Sequence, residues 1–322
     1  MSDKELFEIT PKVKRSRLPQ LPQNPETANQ SAAVGLGRFP SWLHRRLPSG
    51  RGLIETDKIL KDQRLPTVCE EAKCPNLLEC WSRKTATFLT LGSQCTRNCG
   101  FCSIDFSTHP KAPEADEPDR VADSVKALGL KHVVLTMVAR DDLPDGGAAH
   151  LAEIVSQIRK ENSHATIELL TSDFAGNEEA WQTILGSKPE VFNHNIETVR
   201  RLSPRVRHKA TYERTLRFLK FLSQSGVQTI VKSGLMVGLG ETEGEVQETL
   251  HDLKNAGCRS VTIGQYLQPT SQKLLVKEFI TPTQFEKYKT YGESIGIPYI
   301  FSGPFVRSSY HADSLDLTKL VC

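Results

Sequence analysis

The sequence predicts an α/β protein built as a partial (β/α)6 TIM-like barrel with N-terminal and C-terminal extensions. Six short runs rich in apolar and β-branched residues recur along the chain, and segments with helical periodicity lie between them. Strands that alternate with helices pair in parallel, because parallel neighbours need a crossover connection. Six units are too few to close an eight-stranded barrel, so we expect a curved and partly open one. An open doubly wound sheet is the structural alternative.

The predicted elements follow in order along the chain. The strands are residues 85–91, 132–138, 166–170, 191–196, 228–237 and 260–267. The clearest helical patterns are residues 147–160, 212–224 and 243–256. In the last of these helices Val246, Leu250 and Leu253 share one face, and Gly257 follows as a stop signal.

Four segments are expected along the chain. Residues 1–40 are rich in Pro, Gln, Lys and Arg and have little apolar periodicity, which is typical of a disordered or extended basic arm. Residues 41–84 form an irregular extension that holds three cysteines and contains little that resembles a strand. Residues 85–296 form the barrel, and residues 297–322 form a C-terminal segment that closes the barrel mouth.

Composition limits the class of protein. The 322 residues are 38% apolar and 25% charged, with a formal net charge of +3. This nearly neutral balance gives no reason to expect nucleic acid or a membrane as a partner. No window approaches eighteen uncharged apolar residues, and the first ten residues carry acids and lack an apolar core. We therefore expect no membrane span, no secretory signal and a cytoplasmic location.

Cysteine spacing indicates metal binding. Six of the eight cysteines lie between Cys69 and Cys102, and cytoplasmic cysteines rarely form structural disulfides. The stretch TLGSQCTRNCGFCSI places Cys95, Cys99 and Cys102 in a C-x3-C-x2-C array directly after the first predicted strand. Active sites of parallel βα folds lie at that end of the strands. Three thiolates are one too few for a 4Fe–4S cluster held by cysteine alone, which leaves one iron open.

This first array resembles the signature of the radical S-adenosylmethionine (SAM) superfamily. In that superfamily the open iron chelates the amine and carboxylate of SAM, and the aromatic Phe101 before the third cysteine also fits the pattern. Two plainer interpretations stay open. One is a structural zinc site, which usually has four ligands in paired C-x2-C knuckles, and the other is a set of three unrelated free thiols.

A second array precedes the first. The stretch VCEEAKCPNLLECW places Cys69, Cys74 and Cys80 in a C-x4-C-x5-C pattern. Beside the first array it indicates a second cluster, again one ligand short. Buried structural thiols are the alternative.

Both arrays, together with an RSSY motif at Arg307, Ser308, Ser309 and Tyr310, resemble the lipoyl synthase family. The resemblance runs from about residue 42 to residue 313 and includes WLHRRLPSG, MVARDDLPDGGAAH, FNHNIETV, KSGLMVGLGET and TIGQYLQPT. It implies that Ser309 supplies the fourth ligand of the auxiliary cluster, the one on the second array.

The resemblance also implies the reaction, cofactors and partners. The reaction is sulfur insertion at C6 and C8 of an octanoyl-lysine, with two 4Fe–4S clusters, SAM, and the auxiliary cluster as sulfur donor. The partners are octanoylated lipoyl carrier domains (the glycine cleavage H protein and E2 subunits of 2-oxoacid dehydrogenases), a flavodoxin or ferredoxin-type reductant and an iron–sulfur cluster donor. Residues 1–51 carry nine Lys or Arg and four acids, which favours docking of an acidic carrier by charge. A solvated tail is the alternative.

The SAM contacts implied by family position are less distinctive. The backbone near Phe101 is expected to meet the adenine, and Thr136, Glu168 and Asn195 are expected to approach the amine or ribose. For each of them, a satisfied polar group at a barrel mouth is the alternative. Residues 140–142 could equally form an ordinary turn with local ion pairs.

The chain departs from the family pattern at a few positions. Lys273 stands where His is common, Leu275 where Pro is common, Ala139 where Asp is frequent, and TSDF where a proline usually precedes Asp-Phe. None of these positions is expected to touch a cluster ligand. We interpret Cys258 and Cys322 as structural or incidental.

Three other functions compete with this interpretation of the sequence. A biotin-synthase-like sulfur inserter conflicts with the second array and the RSSY motif. A tRNA methylthiotransferase conflicts with the lack of an additional RNA-binding domain. A non-enzymatic cluster carrier or zinc protein is the rival of a different class, and it would need neither a barrel nor an open iron.

Overall fold

Parallel strands dominate the computed structural model, which describes residues 39–45, 51–309 and 312. Seven strands form one sheet in which each neighbouring pair is parallel. In chain order they are β1 Thr87–Thr90, β4 His132–Met137, β5 Thr166–Leu170, β6 Val191–Asn193, β7 Ile230–Val237, β8 Ser260–Gln265 and β9 Tyr299–Gly303. A separate parallel pair, β2 Gln94–Cys95 and β3 Asp105–Phe106, lies between β1 and β4 in the chain.

The sheet is open, as expected for a partial barrel. The strand order is β1-β4-β5-β6-β7-β8-β9, so within the described residues β1 and β9 lie at the two edges. All six predicted strands are present. The seventh, β9, falls in the C-terminal segment and pairs with β8 from Ser260 opposite Tyr299 to Gly264 opposite Gly303.

Helices cover the sheet and carry the apolar core against it. They are α4 Glu117–Leu128, α5 Ala148–Glu161, α6 Glu178–Leu185, α7 Ser203–Val206, α8 Tyr212–Gln224, α9 Glu243–Asn255 and α10 Pro282–Ser294. The three helices predicted most clearly are confirmed within one residue at each end. At α9 the start is fixed by a capping box between Thr242 and Glu245. Its predicted apolar face is fully buried, and Gly257 follows with a positive φ of 86°.

The extension before the sheet is helical, and the expectation of an irregular segment is wrong there. It contains a 3₁₀ turn at Ser41–Leu43 and three helices, α1 Arg51–Asp62, α2 Val68–Glu71 and α3 Leu77–Ser82. The two short helices are below the length at which apolar periodicity becomes readable. The basic arm lies outside the described residues except at positions 39 and 40.

In the described part of the chain, every helix is too short or too polar to cross a bilayer.

Candidate active site

The first cysteine array lies on the loop that leaves the C-terminal end of β1. Cys95 is the second residue of β2 and pairs with Phe106 of β3. The thiols of Cys95, Cys99 and Cys102 are free and half-buried. The charge of Cys95 acts on Cys99, and the charges of Cys95 and Cys99 both act on Cys102. The array is therefore gathered at the barrel end where chemistry was predicted.

Burial keeps the thiols of Cys99 and Cys102 protonated until a metal binds. Burial raises the pKa of Cys99 to about 11, although the Arg207 guanidinium acts in the opposite direction. Burial also raises the pKa of Cys102 to about 12, and the neighbouring cysteines add to the rise. Iron binding would have to release these protons, since only the thiolate is a metal ligand.

The residues between Cys95 and Cys99 are tied to the loop that follows β4. The backbone N–H and the hydroxyl of Thr96 both donate to the Ala139 carbonyl, at 2.9 Å each. The Asp141 N–H donates to the Thr96 hydroxyl at 2.9 Å. Arg97 donates to both carboxylate oxygens of Asp141, with its closest approach at 2.7 Å.

The same arginine reaches the loop after β5. Its Nη1 lies 2.6 Å from the Asp173 carboxylate, whose side chain is fully buried. Asp173 also pairs with Arg214 of α8 at 2.5 Å. Burial alone would raise the pKa of Asp173, but Arg97, His194 and Arg214 lower it to about 2. The carboxylate is therefore a permanent anion.

The adjacent Arg140 and Asp142 form the local ion pair that was the alternative for this turn. Arg140 donates to both Asp142 oxygens at 2.8 Å. Asp141 instead pairs across the structure with Arg97. The local-turn interpretation is thus confirmed for Arg140 and Asp142 and wrong for Asp141.

The second half of the cysteine loop is held from the other side. The Gly100 N–H donates to the Val206 carbonyl, and the Gly100 carbonyl accepts from Leu274, at 2.9 Å each. Lys273 Nζ lies 3.1 Å from Asn98 Oδ1 and 3.4 Å from the Cys99 carbonyl oxygen. The expectation that no departure from the family pattern touches a cluster ligand is wrong at Lys273, because the folded chain returns this segment to the loop.

Three of the predicted SAM contacts lie at strand ends or on the cysteine loop. Phe101 is half-buried and packs on a small apolar cluster built around Val206, Leu239 and Tyr266. Thr136 is a buried residue near the end of β4. Asn195 follows β6 and is half-buried, and its side-chain Oδ1 has no hydrogen-bond partner among the described residues. An unpaired acceptor at this place suits a ligand donor, and all three contacts stay predictions.

Glu168, the fourth predicted SAM contact, is engaged by the protein itself. Lys232 Nζ lies 2.9 and 3.2 Å from its two oxygens, and Asn193 donates to it at 3.0 Å. His132 lies 3.5 Å away. Burial alone would raise the pKa of Glu168, but Lys232 and His132 lower it to about 2. Its contact with SAM stays a prediction, and its observed contacts are structural.

Sequence reasoning missed two charged groups beside Asn195. Glu197 has a φ of 65°, a left-handed conformation that residues other than glycine rarely adopt. Burial raises its pKa, while Arg207 acts in the opposite direction. Arg207 donates to the Asn195 carbonyl and senses the charge of Cys99. The FNHNIETV stretch contained Glu197, but nothing in the sequence linked it to Arg207.

The second array lies on the short helices of the extension. Cys69 is in α2 and Cys80 in α3, and Cys74 lies in the turn between them. Burial, followed by the Cys74 and Cys80 thiols, raises the pKa of Cys69 to about 12. Burial and Cys74 likewise raise the pKa of Cys80 to about 11. The three thiols thus form a second group, separate in sequence from the first.

The chain after β9 packs against this second group. Asn76, between Cys74 and Cys80, donates to the Phe305 carbonyl at 2.8 Å. The Arg45 guanidinium lies 4.3 Å from the centre of the Phe305 ring and contacts Asn76. Arg307 lies close enough to Cys74 to interact electrostatically with its thiol. These contacts bring Phe305 and Arg307, from the far end of the chain, close to the second group of thiols.

Ser309 itself is half-exposed and lies two residues beyond Arg307, while Tyr310 is outside the described residues, as is Cys322. Among the described residues no group of three His, Cys, Asp or Glu side chains stands ready to hold a single metal ion. The two ligand sets therefore stay predictions, and metal analysis decides between clusters and zinc. Cys258 is a buried free thiol.

The fold and the first cysteine array together define the class of this protein. The sequence pattern of the radical SAM superfamily matches residues 89–253. The crystal structure of Streptococcus suis SuiB bound to S-adenosylmethionine is similar, with a TM-score of 0.55 over 71% of this chain and 52% of that one, at 11% identity. Methylornithine synthase is similar with a TM-score of 0.50 over 71% of this chain and 75% of that one, at 13% identity. These structures share the fold, and the chain is a radical SAM protein.

The family follows from more similar relatives. A lipoyl synthase of Protochlamydia amoebophila (strain UWE25) is 62% identical over 96% of this chain and 95% of that protein. A lipoyl synthase of Chlamydia muridarum (strain MoPn / Nigg) is 50% identical over 91% of this chain and 94% of that protein. The chain belongs to the lipoyl synthase family.

Proposed function

We propose that this chain is a lipoyl synthase that inserts two sulfur atoms, at C6 and C8, into a protein-bound octanoyl-lysine. The observation that carries the proposal is the presence of two separate sets of three free thiols in the folded chain. One group lies at the end of β1, and the other lies under the segment that follows β9. A radical SAM enzyme that only cleaves SAM has no use for the second group.

The residues divide into two ligand sets. Cys95, Cys99 and Cys102 hold the first 4Fe–4S cluster and leave one iron open for SAM. Cys69, Cys74 and Cys80, with Ser309 as the fourth ligand, hold the auxiliary cluster. The donor chemistry fits, because each set offers free, half-buried or buried thiols of the kind that iron–sulfur clusters use.

The chain's own contribution is positioning and exclusion of water. When bound, the first cluster with SAM supplies a radical able to take hydrogen from an unactivated carbon, and the auxiliary cluster supplies sulfur. The backbone near Phe101, together with Thr136 and Asn195, lines the SAM site. Phe305 contacts Asn76, which lies between Cys74 and Cys80, and Arg45, so the segment after β9 lies beside the proposed auxiliary site and helps to restrict solvent there. Ser309 offers a harder and more readily exchanged ligand than a thiolate.

The partners follow from this reaction. The substrate is an octanoylated lipoyl carrier domain, such as the glycine cleavage H protein or an E2 subunit of a 2-oxoacid dehydrogenase. A flavodoxin or ferredoxin-type protein supplies electrons, and an iron–sulfur donor rebuilds the auxiliary cluster after sulfur is consumed.

Anaerobic turnover tests the proposal. Reconstituted protein is mixed with an octanoyl-lysine peptide, SAM and a reductant, and the peptide mass is followed. The expected result is gain of two sulfur atoms together with 5′-deoxyadenosine, and neither without SAM. Colourless protein that contains zinc would support the structural rival, and 5′-deoxyadenosine without any thiolated peptide would point to another radical SAM reaction.

A further inference from the structure

Arg97 lies between two proposed ligands of the first cluster, and its side chain is only 5% exposed. Buried charges in metal-binding loops need a reason, since removing a guanidinium from water is costly unless it is paired. Arg97 is paired twice. Asp141 comes from the loop after β4, and Asp173 comes from the loop after β5.

Both aspartates together fix the orientation of the Arg97 guanidinium. Nε and Nη2 face the two Asp141 oxygens at 2.7 to 3.1 Å, and Nη1 faces Asp173 at 2.6 Å. A fork of this kind fixes orientation as well as distance, which an ammonium group cannot do.

Both carboxylates are themselves fixed. Asp173 also pairs with Arg214 of α8 and accepts from the Ala175 N–H at 3.1 Å. The Asp141 N–H donates to Thr96, the neighbour of Arg97 in the cysteine loop. Lys209 Nζ lies 3.3 Å from the Thr96 carbonyl oxygen and 3.9 Å from Asp141.

The clamped residue contacts the first of its two neighbouring ligands directly. The Arg97 N–H donates to Cys95 Sγ at 3.4 Å. Because Arg97 lies two residues before Cys99, fixing its side chain also fixes the start of the backbone that leads to Cys99.

We propose that Arg97 is the positioning residue of the first cluster site: Asp141 and Asp173 lock its guanidinium, and the locked arginine fixes the span from Cys95 to Cys99 before a cluster binds. This inference rests on the proposed function, because it takes Cys95 and Cys99 to be cluster ligands. It adds a role for three residues outside both ligand sets.

The test compares Arg97→Lys and Asp141→Asn with a matched control, Asp142→Asn. Asp142 stands next to Asp141, is 26% exposed against 23%, and pairs with Arg140 at 2.8 Å, but makes no contact with Arg97. Each full-length protein is reconstituted anaerobically. The reduced enzyme is titrated with SAM by electron paramagnetic resonance, and iron loss to a chelator is timed.

We expect Arg97→Lys and Asp141→Asn to lose the SAM-responsive signal to the chelator about ten-fold faster than wild type, the size typical when a partner of a metal ligand is removed. Asp142→Asn should match wild type. Asp141→Glu, which keeps the carboxylate, should recover most of the loss. The iron of the auxiliary cluster should remain in every variant, which shows that the chain is folded.

The reduction potential reports whether the ion pair lies close to the first cluster. Asp141→Asn removes a negative charge beside the loop and should raise the potential of the first cluster. Arg97→Met removes a positive charge and should lower it, because cluster potentials respond to nearby charge. An unchanged potential in both variants would place the ion pair too far from the cluster to position it.

The failures are distinguishable. If wild-type protein gives no SAM-responsive signal, the assignment of the first cluster fails. If wild type gives the signal and Arg97→Lys and Asp141→Asn retain it as long as wild type, only the positioning role fails. Equal losses in Asp142→Asn would also overturn that role.

Discussion

Glu168 and Lys232 form a fully buried ion pair on one face of the sheet, and its strength depends on pH. The side chains are 0% and 2% exposed. Breaking a buried pair by removing one partner typically costs about 3–5 kcal/mol, because the other charge is left unpaired. The pair therefore stabilises the strands β5 and β7 that carry the site, whether or not Glu168 meets SAM.

Glu168→Gln tests this pair. The pKa of Glu168 falls from an ordinary value of 4.5 to about 2 on folding. Its contribution is therefore fully present above pH 4.5 and disappears as the pH falls towards 2. We expect the variant to be less stable by about 3 kcal/mol at neutral pH, with a gap that narrows below pH 4.5.

Urea unfolding of the metal-free protein at pH 7 and pH 3 measures the gap. Glu213→Gln is the control, since Glu213 forms an exposed pair with Arg200 that should contribute at most about 1 kcal/mol. A gap that is as large at pH 3 as at pH 7 would contradict the assigned charge state of Glu168.

Ser309→Ala tests whether this serine is the fourth ligand of the proposed auxiliary cluster. Ser309→Ala should still assemble an auxiliary cluster on its three cysteines but make little or no lipoyl product, and Ser308→Ala should be milder. Iron content and product mass give the two readouts. Full product formation by Ser309→Ala would show that another group supplies the fourth ligand.

Spacing alone indicated a metal site at the first cysteine array, and the second array indicated one only because the first lies beside it in the sequence. The partners of Arg97 were not readable. Asp141 lies 44 positions away, and the neighbouring Asp142 looked equally suited to a local pair with Arg140. The packing of the cysteine loop against the loop after β4 decides whether Asp141 or Asp142 pairs with Arg97. Sequence periodicity contains no information about that packing.

The segment after β9 is the element on which the auxiliary site depends. Gly264 of β8 lies directly beneath it, and a methyl group added there would overlap the Val306 carbonyl oxygen. The obstacle is backbone, so it cannot be relieved by a rotamer change. Gly264→Ala would displace the segment that holds Arg307 and Ser309.

We expect Gly264→Ala to keep the first cluster and SAM cleavage but to lose thiolated product. Gly244→Ala is the matched control, because a methyl group there meets no atom within 4 Å and lies in α9, where alanine favours the helix. The measurements are 5′-deoxyadenosine by chromatography and product by mass. Unchanged product from Gly264→Ala would mean that this segment does not shape the auxiliary site.

Elements were predicted well where they are long and periodic. Helix α8 was predicted at its observed ends, because thirteen residues with one apolar face leave little ambiguity. Helices α2 and α3 were missed because four and six residues are too few to show apolar periodicity. Strand β9 was not predicted, because its residues are mostly half-buried and show no clear alternation. It is defined by its pairing with β8.

At the scale of the whole molecule, the two cysteine groups stand on different supports. The first follows β1 and is hydrogen-bonded to the loops after β4 and β5, whereas the second lies on α2 and α3 and in the turn between them, with Phe305 bonded to Asn76 beside it. Ser103, next to Cys102, donates to the Glu71 carbonyl of α2, so the supports are joined but not shared. Because the two cysteine groups lie on different elements, we expect that removing one cluster leaves the other in place.

Reconstituted wild-type protein should hold about eight iron atoms per chain in two four-iron clusters. Changing Cys69, Cys74 and Cys80 together to Ala should leave about four, with 5′-deoxyadenosine still formed and no thiolated peptide. The radical would then form normally but find no sulfur. The complementary triple change at the first array should leave a similar amount of iron and abolish 5′-deoxyadenosine.

Cys258→Ala serves as the control for loss of a buried thiol. Cys258 is 4% exposed and no neighbouring cysteine acts on its pKa, which burial alone raises. That variant should keep both clusters and full activity. Thiolated peptide from the triple variant of the second array would show that the sulfur comes from elsewhere. Loss of 5′-deoxyadenosine in the same variant would show that the two groups depend on each other, against the separate supports seen in the fold.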